Sequence, residues 1–276
     1  MLGGSAVHFA MSARIFTDVN LVAIVGKDFP LKYIDFLDRK GVVSSSLIKS
    51  DGSTFKWEGQ YKDDLNVALT INTELGVLAD FKPCISEKQR NIKNIFLANV
   101  DPDIQRHLLE NMCSPCLIGL DSMNYWIHHK KNSLLRLLKK VNIYVANDQE
   151  ARQLSGEFNL IKAARYLHSC GPDMVLIKKG EHGVLVYSDK FIFSIPAYPT
   201  QKVIDPTGAG DTFAGGFMGY LSKAGNLSQS SISKAAAYGT VAASFNVEGF
   251  GTERTCRLTM NDLQKRLAYF RKCVLF

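Results

Sequence analysis

The sequence contains no apolar stretch approaching the ~20 residues that a bilayer-crossing helix needs. Its start, MLGGSAVHFAMSARIF, has neither the basic leader nor the long apolar segment of a secretory signal. The expectation is a cytoplasmic protein with no membrane partner. Cysteine is sparse and irregularly spaced, six in 276 residues, which fits reduced, buried thiols and not a disulfide framework. Cys113 and Cys116 form a C-x-x-C, but neither a second pair nor a His cluster accompanies them. They read as small core residues leading into a strand and not as a zinc or redox site. There is no Pro-rich linker, internal repeat or low-complexity tract, so the chain reads as one large domain, alone or with a small appendage. A chain of this length buries most of the surface its unfolded form exposes and needs no covalent or metal staple.

Charge is one-sided without being concentrated. The formal net charge is +7 and the isoelectric point is about 9.0. Lys139–Lys140 and Lys178–Lys179 are pairs that never extend into a basic run, and no nucleic-acid-binding motif is present. No nucleic-acid partner is expected. The balance suits a surface with some preference for anions, including phosphates.

From about residue 90 onward, strand-length apolar runs (Ile92–Ala98, Cys116–Leu120, Val141–Ala146, Met174–Ile177, Val184–Tyr187) alternate with helical patterns. The helical patterns are Pro102–Met112, Ile127–Lys139 and Asp148–Cys170, the last broken at Ser155–Asn159. Such alternation predicts an α/β fold, a mainly parallel central sheet with helices on both faces. Val43–Leu78 differs: β-prone pieces at Thr54–Tyr61 and Asn66–Asn72, turn residues Asp51–Gly52 and Asp63–Asp64, and no convincing helix. This stretch reads as a small inserted β-sheet, a candidate lid. The division expected is 1–42 as the start of the α/β domain, 43–78 as the lid and 79–276 as the remainder. Three helices follow: Asp211–Lys223 stopped by Gly225, Ser228–Phe245 with Ser228 as N-cap, and Met260–Lys272. At the N-terminus, Gly3-Gly4 opens directly onto a helical pattern, Ala6–Phe16. A Gly-Gly turn into a helix normally receives a strand, so a strand and turn of on the order of 10 to 30 residues are expected to be missing before it.

The segment richest in chemistry is VIDPTGAGDTFAGGFMGYL, Val203–Leu221. A β-prone piece leads into Gly208-Ala209-Gly210 and a helix that starts at Asp211. With almost no side chain over the backbone, the N–H groups can face one anion at the positive end of the helix. That arrangement suits a phosphate whose charge grows during transfer. Asp211 beside it could take a proton from an incoming hydroxyl. A glycine-rich helix start with Asp211 as a capping residue is the lesser alternative on the residues alone. A Walker A loop is absent, and Phe213 stands where a dinucleotide fingerprint needs its third glycine.

DPTGAGDTFAGGF resembles the C-terminal signature of the ribokinase-like (PfkB) carbohydrate kinase family, D-x-T-G-A-G-D. Asn147-Asp148-Gln149-Glu150 resembles the family's N-x-x-E motif, and Lys178-Lys179-Gly180-Glu181-His182-Gly183 its nucleotide loop. Gly3-Gly4 and Val25-Gly26-Lys27-Asp28 resemble its substrate-side pattern. The resemblance runs from Gly3 to about Thr252. It implies a ribokinase-like fold and an ATP- and Mg²⁺-dependent kinase acting on a hydroxyl of a sugar or nucleoside.

Carried over by position, Asp211 would be the base and the amides of Gly208, Ala209, Gly210 and Asp211 the anion hole. Glu150 and Asn147 would organise Mg²⁺ through water, since magnesium keeps several of its waters. Lys178, Gly180, Gly183, Asn246 and Gly249 would border the nucleotide. Asp205 and Thr207 would hold a monovalent cation, K⁺. Gly4, His8, Asn99 and Asp121 would face the substrate, the last two (with Asn124) just past predicted strand ends, where open α/β sheets bind ligands. Two departures stand out: His8 occupies the place of a family Asn, and the family's first strand, with its substrate-gripping Asp, is not in the sequence. They leave a rival reading, a catalytically degenerate nucleotide- or sugar-binding homologue with a regulatory role. No paired Arg clamp for a substrate phosphate stands out, which favours an unphosphorylated acceptor. A homodimer through the lid sheet is the oligomer the resemblance implies.

Overall fold

The computed structural model describes residues 2–61, 64–66 and 68–274. The chain begins with helix α1 (Ser5–Ala13), strand β1 (Val19–Val25), helix α2 (Leu31–Arg39) and strand β2 (Val42–Lys49), and β2 pairs with β1 in parallel. The next two strands, β3 (Lys56–Tyr61) and β4 (Ala68–Glu74), form a separate antiparallel hairpin. Of the 43–78 stretch, then, Val42–Lys49 pairs with β1, and the free-standing sheet is confined to Lys56–Glu74. Val42 and Ser46 of β2 are buried, whereas β3 and β4 contain no buried residue. Of the predicted turn Asp63–Asp64, Asp63 lies outside the described residues, as does Val67 within the predicted Asn66–Asn72 piece.

The remainder alternates as expected. Helix α3 (Glu87–Arg90) leads to β5 (Asn94–Leu97), α4 (Pro102–Glu110) and β6 (Leu117–Asp121). The predicted helix at 127–139 is two helices, α5 (Asn124–His129) and α6 (Lys131–Leu138), followed by β7 (Ile143–Asn147). Then come α7 (Asp148–Ser155), α8 (Leu160–Ser169), β8 (Met174–Lys178), β9 (Val184–Tyr187) and β10 (Ile192–Ile195). The main sheet runs in the order β10-β9-β8-β7-β6-β5; β5 to β8 are parallel, and β9 and β10 antiparallel. Every residue of β6, and all of β7 except Asn147, is buried, as strands covered on both faces must be. One face packs Leu109, Ile127, Leu134, Leu138, Leu154 and Leu167 from α4 to α8. The other face receives the long helices α9 (Ala209–Ala224) and α10 (Gln229–Asn246) through Phe213, Phe217, Leu221 and Ile232. Helix α11 (Met260–Cys273) closes against α10 with Leu263, Leu267 and Phe270. Each large apolar side chain so buried contributes about 1.5–3 kcal/mol. Ser228 caps α10 through its hydroxyl, and Gly225 ends α9 at φ 67°, both as the sequence predicts.

The cysteine expectation is corrected. Cys84, Cys113, Cys116 and Cys273 are exposed and free, and Cys170 and Cys256 are half-buried. Cys113 and Cys116 sit in the turn ahead of β6, where their amides donate to the carbonyls of Arg90 and Lys93 and their side chains stay in solvent. Among the described residues no helix is long and apolar enough to cross a membrane.

Helix α1 is the element that ties the N-terminal part to the main sheet, and it does so by close approach to α9. A Cβ on Gly215 would sit 2.3 Å from the carbonyl oxygen of Phe9, and one on Gly219 would sit 3.0 Å from Cα of Ala13. Gly215→Val is therefore expected to cost about 1–3 kcal/mol through overpacking, read as a fall of several degrees in the unfolding midpoint. An unchanged midpoint would mean that α1 can move off α9 freely.

Candidate active site

The C-terminal ends of β5 to β8 and the N-terminus of α9 face one continuous cleft of about 2610 Å³. Of the residues given individual site roles from the sequence, all but Asp121, Asn246 and Gly249 line it. At its floor lies the Gly208–Asp211 turn. Gly208 has φ 76°, and a Cβ there would fall 2.4 Å from the His8 ring, so two independent constraints exclude a larger residue. Asp205 Oδ1 accepts the Thr207 N–H at 2.9 Å and shapes the approach to the turn. Ala209 N–H donates to the Pro206 carbonyl, so of the amides expected to form an anion hole this one is engaged. The Gly210 and Asp211 amides remain at the open first turn of a 16-residue helix.

The turn is held from beneath by Asn246, which is 1% exposed. Its amide nitrogen donates to the Thr207 carbonyl at 2.8 Å, and its oxygen accepts from the Thr212 hydroxyl at 3.0 Å. That orientation makes Oδ1 the acceptor for His8 as well, at 3.1 Å, which assigns the ring proton to Nδ1. His8 is 2% exposed. Both residues thus support the turn from inside, although His8 also lines the cleft. Gly249 is packed against Arg254 in a loop pinned by Glu248, which pairs with Arg266 at 2.9 Å and Arg254 at 3.3 Å.

Above the turn, charge is unevenly matched. Lys178, at the end of β8, contacts Asp121 at 2.8 Å. Its ammonium lies 2.8 Å from where a Gly210 Cβ would stand, directly beside the turn. Asp121 is 3% exposed, does not line the cleft and also accepts the Ser122 amide. It anchors Lys178 and is not among the groups that line the cleft. Glu150 forms a reciprocal capping box with Asn147 at the start of α7, both bonds at 2.7 Å. It is 6% exposed and has no cation within ion-pair distance among the described residues.

Burial works against the Lys178 ammonium, but Asp121, Glu150 and Asp211 outweigh it and hold its pKa above the ordinary lysine value. Burial, with Asp211 adding to it, pushes Asp121 up despite the neighbouring ammonium. Burial and the Asp121 charge push Glu150 up to about 8. Asp121 and Glu150 are both buried beside one ammonium, which cannot balance two desolvated carboxylates. Asp121 touches the ammonium and Glu150 does not, so the proton the cluster keeps belongs on Glu150. A buried carboxylate without its cation is a donor set that fits Mg²⁺, a hard cation that takes oxygen ligands.

Three contributors escaped sequence reasoning. Ser5 donates its hydroxyl to Asp211 Oδ1 at 2.5 Å and accepts the Asn99 amide at 3.2 Å. The other two come from the β3–β4 hairpin. Tyr61 meets the Thr207 hydroxyl at 3.3 Å. Asn66 accepts the Glu181 amide at 3.0 Å and donates to the Glu181 carboxylate at 3.2 Å, against the Gly180–Gly183 loop. No local pattern marks any of the three, because each partner is more than 90 residues away along the chain. Asn99 lines the cleft, and its side-chain oxygen is buried with no partner among the described residues.

Comparison with known proteins gives these similarities. The family model for pfkB family carbohydrate kinases matches residues 2–259. A cytidine kinase of Thermococcus kodakarensis is 32% identical over 229 residues, covering 81% of this chain and 81% of its own. An adenosine kinase of Saccharomyces cerevisiae is 29% identical over 255 residues, covering 83% and 74%. Among solved structures, the nucleoside kinase of Methanocaldococcus jannaschii aligns with a TM-score of 0.78 at 23% identity, over 97% of this chain and 86% of that one. This last likeness is one of fold, the ribokinase-like α/β arrangement.

The charge imbalance has a consequence for stability. Glu150 has a folded-state pKa raised from an unfolded value near 4.5. Its contribution is therefore fully present below that value and is lost as pH rises toward 8. Glu150→Gln keeps the neutral form at every pH and retains an oxygen for the Asn147 amide. In chelator-treated protein, the unfolding midpoint of E150Q is expected to gain on wild type by several degrees between pH 5 and 8.5. A difference that stays constant across that range would show that Glu150 is already ionised at pH 5.

Proposed function

The chain belongs to the pfkB family of carbohydrate kinases, and we propose that it transfers the γ-phosphoryl group of ATP to a hydroxyl of a nucleoside. At the coarser level it is a sugar or nucleoside kinase, a phosphotransferase with an alcohol acceptor. The nucleoside reading is supported by relatives that span most of the chain and are named cytidine kinase and adenosine kinase. One observation carries the mechanism: the Asp211 carboxylate at the start of α9, with the Gly210 amide and the Lys178 ammonium beside it.

The acceptor hydroxyl approaches Asp211, whose Oδ1 is held by Ser5. The other carboxylate oxygen takes the proton as the acceptor oxygen attacks the γ-phosphorus and the β–γ bridging oxygen leaves with ADP. The first-turn amides of Gly210 and Asp211, with the α9 dipole behind them, meet the charge growing on the transferring group. Lys178, fixed by Asp121, adds a positive charge that does not have to reorganise during the step. Glu150 and Asn147 would hold Mg²⁺ through water, and when bound it neutralises charge on the β- and γ-phosphates. Gly180 and Gly183, both at positive φ, let the backbone approach the nucleotide closely. The β3–β4 hairpin acts as a lid that excludes water, fastened on its turn side at Thr207 by Tyr61 and at Glu181 by Asn66. A K⁺ ion at Asp205 and Thr207 belongs to the same proposal, tested by exchanging KCl for choline chloride. So does pairing of two copies through the hairpin, which exposes Leu69 and Ile71.

ADP release from MgATP, measured across a panel of nucleosides and free sugars, is expected with nucleosides and to be far weaker with ribose. Asp211→Asn should lower turnover by about 10²- to 10⁴-fold while leaving ATP affinity nearly intact. Wild-type-like turnover in D211N would exclude the base, and preference for ribose would exclude the nucleoside reading. For the lid, Asn66→Ala removes hydrogen bonds worth about 1 kcal/mol net, so the KM for MgATP should rise roughly 5-fold. If KM stays put, the hairpin does not fasten the nucleotide loop.

A further inference from the structure

We propose that Ser5 is a positioning residue for the candidate base, its hydroxyl holding Asp211 in the one orientation that leaves a carboxylate oxygen free for the acceptor. This rests on Asp211 acting as the base. Ser5 is the first residue of α1, one past the N-cap Gly4, so its hydroxyl is not taken up in capping its own helix. The hydroxyl instead crosses to Asp211 Oδ1, 206 residues away, at 2.5 Å. A hydroxyl can rotate, so on its own it could turn toward either partner. Here the Asn99 amide donates to the same oxygen at 3.2 Å. With one lone pair taken by that N–H, the hydroxyl proton is directed at the carboxylate.

The relay joins three elements that the reaction needs in register. Asn99 follows β5, Ser5 opens α1, and Asp211 lies in the first turn of α9. Helices α1 and α9 are locked at glycine contacts, Gly215 against Phe9 and Gly219 against Ala13, so the distance from Ser5 to Asp211 is set by rigid packing. Aspartate has two rotatable side-chain bonds. Without Ser5, its carboxylate can swing toward Lys178, which already draws on Asp211 electrostatically. A base rotated toward that ammonium is displaced from the acceptor, and displacements of this order slow proton removal and attack together. Loss of a hydrogen bond to a charged group at this place should lower kcat by about 10- to 100-fold.

The test compares wild type, S5A, S5T, D211N and the S5A/D211N double variant, using the acceptor from the panel that wild type phosphorylates fastest. Alanine is tolerated in a helix and the two bonds lost are only partly buried, so S5A should fold, with an unfolding midpoint within a few degrees of wild type. The expected result is a 10- to 100-fold lower kcat in S5A with the KM for MgATP within about 2-fold, and recovery of most of that loss in S5T. In the D211N background, Ser5→Ala should cost less than about 2-fold, because the group it positions no longer serves as a base. Crystal structures give a reading that needs no acceptor: one Asp211 rotamer bonded to Ser5 in wild type, and more than one in S5A. Three results would overturn the proposal: an Asp211 equally ordered in S5A, an unchanged kcat, or a raised kcat, which would mean that Ser5 merely occupies the acceptor's place. A D211N that turns over like wild type would instead remove the base itself, whatever S5A does.

Discussion

Among the described residues one ammonium group, Nζ of Lys178, faces the buried carboxylates of Asp121 and Glu150, with Asp211 beside it on the cleft wall. In that setting opposite charges attract strongly and unmatched ones are costly, so the cluster is stable only with a proton or an added cation. The rest of the cleft follows from this constraint. Asp121 is spent on the lysine, which fixes the ammonium beside the Gly210 amide. Glu150 is left without a counter-ion and is bound into its capping box with Asn147. Under the proposed reading, a phosphate bringing its own magnesium supplies the cation that Glu150 lacks and an anion for the open helix terminus. The unliganded site is thus electrostatically unfinished in a way that its proposed ligands complete, as expected where stability is traded for binding.

The Gly208–Asp211 turn owes its shape to buried polar residues and little to its own sequence. A glycine at φ 76° is permissive, not directive. What selects the conformation is Asn246, whose amide satisfies the Thr207 carbonyl, the Thr212 hydroxyl and His8 at once. A fully satisfied buried amide is worth more than its separate bonds, because removing any partner strands another. His8 fills the volume under Gly208 that a Cβ would otherwise invade. Its aromatic bulk gives this position a packing role as well as a polar one, whatever it contributes toward the cleft.

How much of this was legible in the sequence depended on the range of the interaction. Strands β6 to β9 and helices α7 to α11 were readable because apolar periodicity, the cap at Ser228 and the glycine stop at Gly225 act within a few residues. The Gly208–Asp211 turn was readable because glycine, small residue and helix start lie in one segment. The partition of 43–78 was not, since β2 and β3 have similar β propensity and only their pairing separates them, β2 with β1 and β3 with β4. Cysteine exposure was misjudged because burial of a small residue depends on the neighbours that fold over it, and at 113–116 none do. The roles of Asp121 and Asn246 were displaced inward for a related reason. Strand and helix ends mark where a side chain starts, but whether it meets solvent or a lysine depends on elements 34 to 57 residues distant.

The hairpin joins both themes. It exposes apolar residues on a two-stranded sheet, a unit too small to be stable alone in water. Its hold on the rest of the molecule includes the Tyr61 contact at Thr207 and the Asn66 contacts at Glu181. At about 1 kcal/mol net for each of the two residues, together they favour the closed arrangement by roughly 30-fold before the entropy of ordering is set against it. A bias of that size is right for a lid under the proposed reading: strong enough to exclude water while phosphate is present, weak enough to release product on every turnover. Both contacts also fall on the segments proposed to meet the nucleotide, one on the approach to the Gly208 turn and the other on the Gly180 loop. Under that reading, closing the hairpin and tightening the phosphate cradle are the same event, and a nucleotide that orders either segment lowers the cost of covering the acceptor.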